Sequence, residues 1–244
     1  MQDFSGIAEK LIRAEENIHN LNFEMWSFFQ KCDYPVLPQN NGKILLEAIE
    51  YHKNLVIPPR FGVLVGEINH QLRSCFDHVV WHFSLGSISN IKNIRQIEFP
   101  VFETRPSNYD SRALFERKIQ GIKDPEVRSL IERLQPYNAT YPLDDPLWII
   151  HDFDIVDKHR DLIFCVGTGS TVFPREMQGV LERYQREHPE LDSAQVARHF
   201  KSYGPTHPCI SFRDFGRRGV KSVTEGLIEL FNYTISAVED FRAI

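Results

Sequence analysis

The chain has 244 residues, 42% hydrophobic and 12% aromatic, which is enough apolar material for a sizeable core and excludes global disorder. A formal net charge of -5 argues against a protein that coats nucleic acid by bulk charge, and leaves a local basic patch open. Cys32, Cys75, Cys165 and Cys209 form no CxxC pair, so neither a zinc ribbon nor a thioredoxin site is expected, and Cys75 reads as a small core residue.

In chain order, the first expected element is a long helix over 5–31. Ser5 is its cap, and Leu11, Ile12, Ile18, Leu21 and Met25 recur at helical spacing. Pro35 and Pro38 forbid its continuation. A short helix is expected over 43–52. Residues 63–83, VLVGEINHQLRSCFDHVVWHF, then read as one helix with two unlike faces. At about 100° per residue, Val65, Ile68, Leu72, Phe76, Val79 and Phe83 line a core side. Glu67, His70, Arg73, Ser74, Asp77, His78 and Trp81 gather on the other side. A solvated helix face usually carries Lys, Glu, Gln and Ala. Imidazoles, carboxylates, a guanidinium and an indole are instead the groups that bind metals, move protons or hold phosphates.

Gly86 and the SISN segment stop that helix. Residues 96–102, QIEFPVF, are extended but contain Pro100, so they form an edge strand or an ordered strap. One helical block is expected over 111–134, closing at 135–137, QPY. Another follows over 146–160, with Asp144 or Asp145 as cap and Pro146 in the first turn. Residues 162–166 and 209–215 read as strands that can pair, and GTGST at 167–171 as a turn. The charged stretch 174–202 is expected to be helical. The closing helix, 220–242, has an apolar stripe of Val223, Leu227, Leu230, Phe231, Ile235, Val238 and Phe241.

These elements add up to a mainly α fold, an antiparallel helical bundle with a small β appendage in the second half. The expected organisation is a single domain over 1–244, with a helical core at 5–160 and 219–243 and an insertion or lid at 170–208. No run of about 18 apolar residues occurs, and QDFSG follows Met1. A cytoplasmic protein with no membrane partner is the plain expectation.

Three polar groups carry the candidate chemistry: the face of 63–83, RAEENIH at 13–19, and HDFDIVDKHR at 151–160. Glu16 and His19, like Glu67 and His70, stand at i and i+3, so each pair can offer a carboxylate and an imidazole to iron, manganese or zinc. His19, His70 and one of Asp157 or His159 would serve a mononuclear site. Lys158, His159 and Arg160 read either as an anion site for substrate or as cations complementing a helix C-terminus. If these groups form a pocket, Trp81 or Trp148 would stack on a base or cap the cavity. No GxGxxG, GxxxxGK[ST], HExxH or GxSxG occurs.

Arg73-Ser74-Cys75-Phe76-Asp77-His78 resembles the Arg-x4-His motif of the HEPN superfamily of helical-bundle ribonucleases. The resemblance implies metal-independent cleavage of RNA without a cofactor. Arg73 would steady the scissile phosphate, His78 would assist proton transfer at the 2′-hydroxyl, and Asp77 or Ser74 would orient it. His70 adds a further acid/base candidate. Ser74 departs from the Asn, Asp or His that often follows the arginine in that superfamily. RNA is the expected partner, with a homodimer left open. GEINHQLRSCFDHVVW, EFPVF, LQPY and DKHR together also resemble a family of bacterial helical proteins, which implies a shared fold and a polar centre and no reaction. A third reading makes the polar face a buried hydrogen-bond network in a non-catalytic binding protein.

Overall fold

The computed structural model describes residues 4–31, 55–90, 93–159, 164–169, 207–212, 215 and 221–244. Its helices are α1 (Ser5–Gln30), α2 (Pro59–Ser84), α3 (Tyr109–Lys118), α4 (Pro125–Arg133), α5 (Pro146–His159) and α6 (Val223–Arg242). Three short strands, β1 (Phe164–Gly169), β2 (His207–Phe212) and β3 (Lys221–Ser222), are hydrogen-bonded in the order β1-β2-β3. The architecture is therefore mainly α, with a small sheet in the second half of the chain. Among the described residues no helix is long and apolar enough to cross a membrane.

The chain divides into two compact units. One comprises Met1–Met25, Ile57–Phe164 and Phe212–Ile244, the other Trp26–Val56 and Cys165–Ser211. In the second unit the rings of Phe28 and Phe29 meet edge to face at 5.3 Å. The helices expected over 43–52 and 174–202 lie outside the described residues.

The first unit is organised around α2, whose apolar side is shut away at Val65, Ile68, Leu72, Phe76 and Val79. Pro58 and Pro59 open this helix, since a proline at the first helical turn forfeits no intrahelical hydrogen bond. Helix α1 runs antiparallel to it. Phe4 packs on His82 and Phe83, and at the far end Arg60 clasps Glu24 in bidentate fashion at 2.7 and 2.9 Å. Helix α5 is also antiparallel to α2, because Asn69 donates to the Ile150 carbonyl at 2.7 Å while Gly66, further back, lies against Asp157. Helix α6 runs parallel to α2, with Phe76 meeting Tyr233 and Phe83 meeting Phe241. The four long helices thus form an up-and-down arrangement around one apolar centre.

Several expected details differ. Ser5 is the first helical residue rather than the cap, and the Phe4 carbonyl accepts the Ala8 N–H at 2.9 Å. Ile12 is 48% exposed, because the buried stripe of α1 runs through Ile7, Ala14, Ile18, Leu21 and Met25. The block over 111–134 is two helices. Asp124 caps the second by accepting the Glu126 N–H at 2.8 Å, and Pro125 fixes its first turn. Residues 167–169 belong to β1 and not to a turn. On α6 the buried stripe includes Gly226, Thr234 and Ala237, leaving Phe231 and Ile235 half-buried. A Cβ at Gly226 would press on the rings of Phe212 and Phe215, so only glycine lets those buried aromatics reach the helix.

Candidate functional site

The polar face of α2 divides into a buried part and an exposed part. Arg73 is buried, with its side chain 6% exposed. Its Nη1 donates to Asp77 Oδ1 at 2.7 Å and its Nη2 to the Phe99 carbonyl at 2.9 Å. Asp77 Oδ1 also accepts the Phe99 N–H at 2.8 Å. The pair therefore grips both backbone groups of one residue in the segment 97–102. That segment is an ordered strap with no strand assignment, because Pro100 has no N–H to offer a ladder. Gln135 holds the Pro100 carbonyl at 2.8 Å, Lys118 pairs with Glu98, and the Phe99 ring packs on Phe76 and Phe241. Arg73 is thus a buried clamp, each terminal nitrogen donating a hydrogen bond inside the fold. Asp157 lies against Gly66, where a Cβ would overlap its carboxylate.

The exposed part carries the imidazoles. His70 is 57% exposed, and its Nδ1 lies 2.9 Å from Oδ1 of Asp154 on α5, whose own side chain is 9% exposed. His78 is exposed, with half-buried Ser74 and 38% exposed Trp81 beside it on the same face. Partial desolvation, then the Lys10 ammonium of α1, hold His78 below its ordinary pKa against the pull of Asp77. Cys75 is fully buried and donates to the Gln71 carbonyl, and burial pushes its thiol up to about 12, so it is inert core.

Sequence reasoning placed His151 and Asp154 in a polar group and gave neither a role. His151 is half-buried, and its Nδ1 is shut away without a hydrogen-bond partner. Burial, followed by the charges of Arg73 and Lys118, pushes its pKa down to about 4 despite Asp154 and Glu98. It is therefore a neutral imidazole at pH 7. The signal was the HDFD spacing, which sets His151 and Asp154 one turn apart on α5. Lys10, Glu98 and Lys118 carried no local signal, since each meets its partner only through the fold.

The four proposed metal ligands are not brought together. Among the described residues no group of three or more His, Cys, Asp or Glu side chains could hold a metal ion. Glu16 and His19 are exposed on α1, where Glu16 pairs with Arg13, and His70 is engaged by Asp154. The side chains of Lys158 and His159, and Arg160 entirely, lie outside the described residues.

The fold and site define a helical-bundle protein with a histidine-bearing polar face. No protein-family model matches the chain, and no curated protein or solved structure matches it either.

Proposed function

We propose that the chain is a HEPN-like, metal-independent ribonuclease that works from the polar face of α2. The observation that carries this reading is the exposed His70 held by the Asp154 carboxylate. A carboxylate that accepts from Nδ1 fixes the tautomer and leaves Nε2 for proton exchange with a substrate. His78, the histidine of the Arg-x4-His motif, is the second acid/base candidate, with Trp81 on the same face to stack on a base. Arg73 and Asp77 contribute by fixing the strap beside this face, each holding one backbone group of Phe99.

A second reading is a non-catalytic binding protein, favoured by the same Arg73–Asp77–Phe99 clamp. One assay separates the two. Cleavage of single-stranded RNA by the full chain in EDTA, lost in His70→Ala or His78→Ala variants that stay folded, is the expected result. An intact RNA at high protein concentration would leave the binding reading in its place.

A further inference from the structure

Helix α1 turns one side to the core, where Ile7, Ala14, Ile18, Leu21 and Met25 are buried. At about 100° per residue, Ile12, Glu16, His19 and Phe23 fall within an arc of about 60° on the opposite side. They follow at intervals of four, three and four residues, so they form one line along the helix. Glu16 and His19 are exposed, Ile12 is 48% exposed and Phe23 67%. Among the described residues no other phenylalanine is exposed. Single apolar residues on a surface are ordinary, whereas two that bracket a carboxylate and an imidazole in one line make a patterned surface.

We infer that this line is the contact surface for a second copy of the chain, with the two α1 helices antiparallel about a two-fold axis midway between Glu16 and His19. Read from either end, the line is apolar, polar, polar, apolar. Laid against its own reverse, it sets Ile12 on Phe23 of the partner subunit and Glu16 on His19 of the partner subunit. Symmetry repeats each contact. Arg13 engages only Oε2 of Glu16, at 3.2 Å, which leaves Oε1 to accept an imidazole N–H. Glu15 and Asn20, both exposed, flank the line and would meet as acceptor and amide donor.

Electrostatics choose this orientation. A parallel pair would press Glu16 against its own copy, two like charges at the centre of the contact, whereas the antiparallel pair gives each carboxylate a donor. One helix face is smaller than the roughly 800 Å² per partner of stable complexes, so the dimer is weak and forms at high protein concentration. The surface uses no residue of the polar face of α2, and it stands whether or not the chain cleaves RNA.

The test is sedimentation equilibrium of the full chain at up to about 100 µM, where a weak dimer of this size is populated. A monomer–dimer equilibrium is expected. Glu16→Lys and His19→Glu should each weaken it about tenfold, since each pairing occurs twice. The double variant Glu16→Lys/His19→Glu should restore it, because opposite charges face each other again. Circular dichroism checks that each variant is folded. Orientation is read by mild oxidation of Ile12→Cys, of Phe23→Cys and of an equimolar mixture of the two, with the wild type as control for the native cysteines. The mixture should give a disulfide-linked dimer. Neither variant alone should do so, because in the antiparallel pair like positions lie 11 residues apart, roughly 16 Å of helix rise, beyond disulfide reach. A wild type that stays monomeric overturns the proposal. So does a dimer indifferent to Glu16→Lys, or a mixture that cross-links no more than the single variants.

Discussion

The buried and exposed halves of the polar face of α2 use similar side chains for opposite ends. Arg73 and Asp77 spend their hydrogen bonds inside the molecule, on the N–H and carbonyl of Phe99. His70 and His78, on the same helix, keep ring surface in solvent. The difference lies in what covers each position. The strap lies over Arg73, whereas α5 reaches only the Nδ1 side of His70. A charged residue on a helix face becomes structural where a neighbouring backbone needs its hydrogen bonds, and stays available where none does.

The largest effect is expected from breaking the clamp. Arg73→Ala leaves the Phe99 carbonyl unsatisfied and Asp77 without its cation, and should cost about 2–4 kcal/mol. Urea denaturation measures this, and a cost below about 1 kcal/mol would place Arg73 with the exposed residues. Gly226→Ala probes the core beyond the polar face. Its methyl group would meet the Phe212 and Phe215 rings, for an expected loss of about 1–3 kcal/mol in the same assay.

Acid should separate the halves in another way. The folded-state pKa of His151 is depressed from 6.5 to about 4. The unfolded chain therefore binds the extra proton first, and stability is full above the unfolded value and lost as pH falls from 6.5 towards 4. Discounted for partial exposure of the ring, the loss is about 1–2 kcal/mol. His151→Gln should flatten that part of the stability curve, and an unchanged slope would show that other groups dominate it. The smallest effect belongs to the exposed half. His78→Ala should move stability by no more than about 0.5 kcal/mol, and a larger loss would mean that His78 is part of the scaffold.

Much of the scaffold is legible in the sequence. The apolar spacing of α2, Pro146 with its capping aspartate, and the interruption by Pro100 each act within a few residues, so they can be read locally. Asp145 indeed accepts the Leu147 N–H at 2.9 Å. Other details escaped because the deciding signal was weak or remote. Asp124 and Pro125 break 111–134 into two helices, yet a helical period continues across them. Ile12 faces solvent because Ala14, a smaller residue, marks the side of α1 that approaches its neighbours.

The sequence by itself determined the mainly helical class, the two-faced character of α2 and the supply of imidazoles and carboxylates, since these follow from local propensity and periodicity. Which of those groups are committed and which stay open was decided by tertiary structure alone. Arg73 is consumed by a strap 26 residues away in sequence, and His70 is oriented by an aspartate 84 residues away. Hydrogen bonds across such separations depend on how the helices pack, and periodicity within one helix carries no record of what lies across from it.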